Sequence, residues 1–138
     1  MQNKLNIVQS ECSCEKCSRM CHSPCCTTPD EVIKLVENGY GHRLMLDDLP
    51  GGPDLIKPAL KGYEGGYSPW AITTMQGCTF WNNGLCDLHD LGLKPMHAKL
   101  SHHDLTLDQV NEIADAVTEE WETEKATQVI DKWKKITL

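Results

Sequence analysis

Six of the eight cysteines fall within fifteen residues, Cys12, Cys14, Cys17, Cys21, Cys25 and Cys26, while Cys78 and Cys86 stand far downstream. A free thiol has a pKa near ~8.5, and thiolates gathered this closely repel one another unless a cation neutralises them or oxidation joins them. The compartment chooses between those outcomes. The first ten residues, MQNKLNIVQS, carry no apolar h-region and no small-residue cleavage site, and no stretch approaches the roughly 18 apolar residues of a membrane span. The expectation is a cytoplasmic protein without membrane association, in which disulfides are reduced and crowded cysteines serve metal binding or redox chemistry. The adjacency of Cys25 and Cys26 also argues against a disulfide scaffold, because neighbouring cysteines seldom pair and would need two separate partners.

A metal would also compensate for thin core material. The chain has 138 residues, one domain's worth, but aromatics are only 6%, with Phe80 the single phenylalanine, and 10 glycines and 7 prolines lie mostly in its middle. Such a core calls for a staple. The formal charge of −7 excludes nucleic acid as the main partner, since counterion release demands a basic surface. Four thiolates around one divalent zinc would leave about −2 locally, so the site adds negative charge. The basic run Lys132, Lys134 and Lys135 reads as helix C-terminal charge favoured by the macrodipole. We expect one domain over residues 1–138, with a metal-binding core over 12–103 and a C-terminal helical segment over 104–138.

Local signals outline the elements. Thr28 with Glu31 forms a capping box, Pro29 suits the first helical position and Gly39 supplies a stop, which predicts a helix over 29–38 burying Val32, Leu35 and Val36. From Tyr40 to Tyr67, repeated glycines and prolines predict short strands or irregular segments in a long, partly ordered excursion. Runs at Ala71–Met75 and Cys78–Trp81, then Asn82-Asn83-Gly84 and Leu85–Leu88, predict a β-hairpin with a cysteine on each side of its turn. Thr106 with Gln109 is a second capping box. It opens a helical pattern in which Val110, Ile113, Val117, Trp121, Val129, Trp133 and Ile136 form a buried stripe, in one long helix or in two with a break near Glu122–Glu124.

The chemistry rests on Cys14-x2-Cys17-x3-Cys21-x3-Cys25-Cys26. This spacing lets one loop present several sulfurs at ~2.3 Å to one ion, while a tetrahedral shell draws its remaining ligands from elsewhere in the fold. Cys78 and Cys86 meet that need from the hairpin. A site joining the two would tie residues more than fifty positions apart, so its loss would unfold the chain. Among the histidines, His22 and His89 lie beside candidate ligands, while His97, His102 and His103 also fit a solvated polar loop and His42 carries no signal. Ser13, Ser18 and Ser23 are placed to donate hydrogen bonds to thiolates. No G-x-S-x-G, P-loop, dinucleotide fingerprint or H-E-x-x-H is present in the sequence.

The combination Cys14-x2-Cys17…Cys25-Cys26, then Cys78-Thr-Phe-Trp-Asn-Asn-Gly-Leu-Cys86, then Leu93-Lys94-Pro95, resembles the CxxCxxCC cysteine-cluster proteins. These are also called YkgJ-like, or zinc- or iron-chelating, proteins. The resemblance covers about residues 12–103 and implies a small cytoplasmic bacterial protein of unsettled biochemical role. It also implies that Cys14, Cys17, Cys25 or Cys26, Cys78 and Cys86 belong to the family's metal site. Two departures stand out. Cys17 is followed by an insertion carrying Cys21 before the double cysteine, and Ala98 occupies the place of the family's cysteine three residues after the proline, with His97 adjacent. His97 or Cys21 is then the candidate substitute.

These readings converge on an α+β class: a small, irregular, metal-stapled domain with a β-hairpin and N- and C-terminal helices. The expected ligands are Cys14, Cys17, Cys21, Cys25, Cys26, Cys78 and Cys86, and the expected cofactor is zinc, structural or chelated. Iron or an Fe–S cluster is the first alternative, and a metal-dependent enzyme with an open position at His22, His89 or His97 is the second. The sequence points to no substrate and no protein partner.

Overall fold

The computed structural model describes residues 24–48, 52–69, 77–82, 85–88, 91–100 and 105–137. The fold is α+β. We number its elements α1 (Pro29–Glu37), β1 (Leu44–Asp47), β2 (Leu55–Pro58), β3 (Trp81–Asn82), β4 (Leu85–Cys86), α2 (Met96–Leu100), α3 (Leu107–Glu119) and α4 (Glu124–Thr137), with a 3-10 turn at Gly41–Arg43.

Helix α1 begins and ends where its sequence dictates. The Glu31 N–H donates to Thr28 Oγ1 at 3.2 Å and the Thr28 N–H donates to Glu31 Oε1 at 2.9 Å, closing the capping box with Pro29 in the first turn. At the other end Gly39 takes φ +87°, the Tyr40 N–H reaches Leu35 O and the Gly39 N–H reaches Val36 O. This is a Schellman stop, which favours glycine at the left-handed position. Val32 and Leu35 are buried and Val36 is partly so.

The stretch after α1 is more ordered than its punctuation suggests. Strands β1 and β2 pair antiparallel, with Leu44 opposite Pro58 and Asp47 opposite Leu55. Leu44, Met45 and Leu46 are all buried, because both faces of this short sheet are covered. Its edges are used as well. Leu46 forms a parallel bridge to Tyr67, and beyond β2 Leu60 forms an antiparallel bridge to Cys78, through Lys61 N–H to Gly77 O and Thr79 N–H to Ala59 O. Glycine and proline here mark turns between packed pieces; the core-forming signal is the run of apolar residues between them.

Strands β3 and β4 form the expected hairpin, with Trp81 opposite Cys86 and Asn82 opposite Leu85. Polar contacts fix this arm to the sheet. The Arg43 guanidinium donates to Thr79 O at 2.7 Å, lies 4.3 Å from the centre of the Phe80 ring and pairs with Asp87 at 3.4 Å; Lys61 Nζ donates to Trp81 O at 2.7 Å. The expected strand at Ala71–Met75 lies outside the described residues.

The C-terminal segment forms two helices with the break at 120–123, the second of the two arrangements its pattern allows. The Thr106–Gln109 capping box opens α3, and the Thr123 hydroxyl accepts the Ala126 N–H at the start of α4. Ile113, Val117, Trp121, Val129 and Trp133 are buried, together with Ala126 and Ile130, which lie outside the expected stripe. Ile136 is 57% exposed: it sits on the last turn of α4, where only its tip reaches the backbone at Gly41. A Cβ on Gly41 would lie 3.0 Å from Ile136 Cδ1 and 3.4 Å from Val36 Cγ2, so glycine permits α1, the 3-10 turn and α4 to meet.

The main core joins Val32 and Leu35 of α1 to Leu44, Leu46, Ile56, Phe80, Leu88 and the α4 residues Val129, Ile130 and Trp133. A second, smaller cluster holds α2 against α3 through Leu100 and Ile113. Trp133 is 1% exposed and its indole N–H donates to Gly41 O at 2.8 Å, so it contributes both apolar burial and a bond to an otherwise sequestered carbonyl. Replacing it by phenylalanine should cost about 1–3 kcal/mol, and Trp133→Ala about 3–5 kcal/mol. Denaturant unfolding checks this; equal losses for the two variants would remove the hydrogen bond from the account.

Candidate functional site

The described end of the cysteine run, Cys25-Cys26, lies on the irregular segment that leads into α1, with both residues partly buried. Their backbone is anchored by the two threonines that come next in the chain. Thr27 is fully buried; its hydroxyl donates to Ile56 O on β2 at 2.7 Å, and its carbonyl accepts the Trp121 indole N–H at 2.6 Å. Thr28 then caps α1. This short stretch is thereby tied to a strand, a helix and the α3–α4 break.

A fourth tie comes from α2. The Cys26 N–H donates to His97 Nδ1 at 2.6 Å. The ring is placed there because the Met96 N–H donates to Glu31 Oε2 at 2.7 Å, so the carboxylate that closes the capping box with one oxygen holds the start of α2 with the other. Burial, reinforced by the Lys57 ammonium, pushes the His97 imidazole down to a pKa of about 4. It is neutral at pH 7, as an accepting Nδ1 requires, and its proton resides on Nε2.

The thiol of Cys26 is free, and burial pushes its pKa up; the Lys57 charge opposes that rise and Asp47 adds to it. Lys57 on β2 and Asp47 on β1 form a 3.4 Å ion pair whose side chains are each more than four-fifths covered. Without a cation bound, the environment favours the neutral thiol.

The other candidate residues divide between the core, the surface and the undescribed segments. Cys78 is buried and bridges Leu60 through its backbone; Cys86 is partly buried opposite Trp81, and both pack into the main core. The hairpin register thus sets Trp81, not Cys78, across from Cys86, because Cys78 is drawn onto the extension of β2 before β3 begins. His42 is exposed on the 3-10 turn. Cys12, Cys14, Cys17, Cys21, His22, His89, His102 and His103 lie outside the described residues. Among the described residues no three His, Cys, Asp or Glu side chains gather as a metal-holding group.

Sequence reasoning missed Thr27, Lys57, Asp47, the bond from the Trp121 indole to Thr27 and the second role of Glu31. The capping-box signal found Glu31, but its other oxygen contacts a residue sixty-five positions away, which no local pattern encodes. No family model, curated protein or solved structure matches the chain.

The partly buried imidazole makes stability depend on pH. His97 binds its proton in the unfolded chain near an ordinary pKa of about 6.5 but in the folded chain only near about 4. The stabilisation is therefore complete above pH 6.5 and is lost as pH falls from 6.5 through 4, on the order of 3 kcal/mol. In chelator-treated protein, the stability advantage of wild type over His97→Asn should shrink across that window; an advantage independent of pH would contradict the assignment.

Proposed function

We propose that this chain is a metal-binding cysteine-cluster protein of the CxxCxxCC type, working in the reducing cytoplasm, with zinc as its ion in a structural or chelating role. The observation that carries the reading is the anchoring of the double cysteine. Cys25 and Cys26 end a run of six crowded thiols, and the fold secures the chain there by hydrogen bonds from the Cys26 N–H to His97, from the Thr27 hydroxyl to Ile56 O and from the Trp121 indole to the Thr27 carbonyl. A chain gains from securing two adjacent sulfurs in this way when something must bind them together.

The donor chemistry of the described part fits a soft, thiolate-selecting site. Adjacent thiols supply sulfur, and the partly covered Lys57 offsets part of the negative charge that thiolates would accumulate. In the proposal Cys25 and Cys26 act with Cys14, Cys17 and Cys21, and with Cys78 and Cys86 from the hairpin arm. A divalent ion would supply the charge that keeps these sulfurs deprotonated and would link the N-terminal run to the core. Among the described residues no helix is long and apolar enough to cross a membrane, which is compatible with this placement.

Elemental analysis and a thiol count on anaerobically purified protein test the reading. The expected result is at least one zinc per chain, with about four thiols per ion shielded from alkylation until a strong chelator is added, and lowered thermal stability after chelation. Brown, iron-containing protein with charge-transfer absorbance would replace zinc by iron or an Fe–S cluster. Metal-free protein of unchanged stability would overturn the proposal.

A further inference from the structure

Resting on the metal-binding reading, we infer that His97 is a positioning residue of the site and not one of its ligands: it holds the Cys26 backbone amide so that the two sulfurs are presented in a fixed direction. The alternative has a chemical basis, since an imidazole beside a double cysteine is a ready ligand. The hydrogen bonding argues otherwise. The Nδ1 lone pair that a metal would use already accepts the Cys26 N–H at 2.6 Å. In the neutral ring the second nitrogen then carries the proton, so ligation through Nε2 would require that proton to leave or to move to Nδ1, which would break the hydrogen bond accepted from the Cys26 N–H.

The ring is also held for this task. The Met96 N–H is bound to Glu31 Oε2, which sets the first turn of α2, while Leu100 at the end of α2 packs against Ile113 of α3. Glu31 is itself fixed to Thr28, two residues after Cys26. A closed circuit results: Cys26 to His97, along α2 to Met96, to Glu31, to Thr28 and back. Such a circuit fixes a backbone amide more firmly than it fixes a ligand nitrogen that must turn toward an ion. It also consumes the Cys26 N–H, which is thereby withheld from bonding to a neighbouring thiolate.

Cobalt(II) titration of the full, reduced chain separates the two roles, because its visible ligand-field and sulfur-to-metal charge-transfer bands report the ligand set while competition with a chelator reports affinity. For a positioning residue, His97→Leu should leave the band positions unchanged and weaken cobalt binding about 10–100-fold, and His97→Asn, whose side-chain oxygen can accept the amide, should recover part of the loss. Long-range 15N correlation spectra of wild type should show Nδ1 unprotonated and Nε2 protonated, both without metal and with zinc; this arm needs no variant to fold. Altered cobalt bands in the variants, unchanged affinity in His97→Leu, or an imidazole nitrogen shifted by bound zinc would each overturn the inference while leaving the metal reading intact. A wild-type chain that binds neither cobalt nor zinc would overturn both.

Discussion

Everything around the candidate site depends on the burial of one threonine. Thr27 has no exposed surface, and a buried hydroxyl or carbonyl without a partner costs about 1–3 kcal/mol, so its two hydrogen bonds are conditions of the fold. The hydroxyl selects Ile56 on β2, and the carbonyl selects the indole of Trp121 at the break between α3 and α4. One residue thereby brings together the start of the described chain, its small sheet and its C-terminal helices. The double cysteine immediately precedes it and inherits that position.

This arrangement explains how a chain so poor in aromatic residues forms a core at all. Trp121 and Trp133, the two buried tryptophans among the described residues, each combine apolar area with an N–H donated to a backbone carbonyl at a junction, Thr27 and Gly41 respectively. Polar side chains join elements elsewhere too: Arg43 and Lys61 hold the β3–β4 arm, and Glu31 links α1 to α2. Directional bonds of this kind fix relative positions more narrowly than apolar contact alone. The electrostatics have the same geometric origin: Lys57 and Asp47, paired across the sheet, act on the Cys26 thiol in opposite senses.

Local chemistry is readable in the sequence wherever it is local in fact. Thr28 with Glu31, Thr106 with Gln109, Gly39, and the break at Glu122–Glu124 all act within one or two turns, and each element lies where its signal puts it. The β1–β2 sheet is harder to see, because frequent glycine and proline between Tyr40 and Tyr67 mask apolar runs of only three or four residues. Thiol crowding makes Cys25-Cys26 a candidate site in the sequence, but does not reveal the means of holding it. Sequence alone offers His97 as a solvated loop residue or as a metal ligand; that it meets the Cys26 amide depends on Glu31 capturing the start of α2, a contact set by tertiary packing. The place of Cys78 on the β2 extension likewise depends on a bridge to Leu60 that has no signature in either segment alone.

The fold, before any ion binds, already holds the backbone at the double cysteine. Amide hydrogen exchange at Cys26 in reduced, chelator-treated protein tests it most directly. Protection at Cys26 should be comparable to that of Val32 in the middle of α1, since releasing the amide requires breaking the circuit through His97 and Glu31. Exchange at the rate of an unstructured peptide, in protein whose α1 amides remain protected, would contradict it.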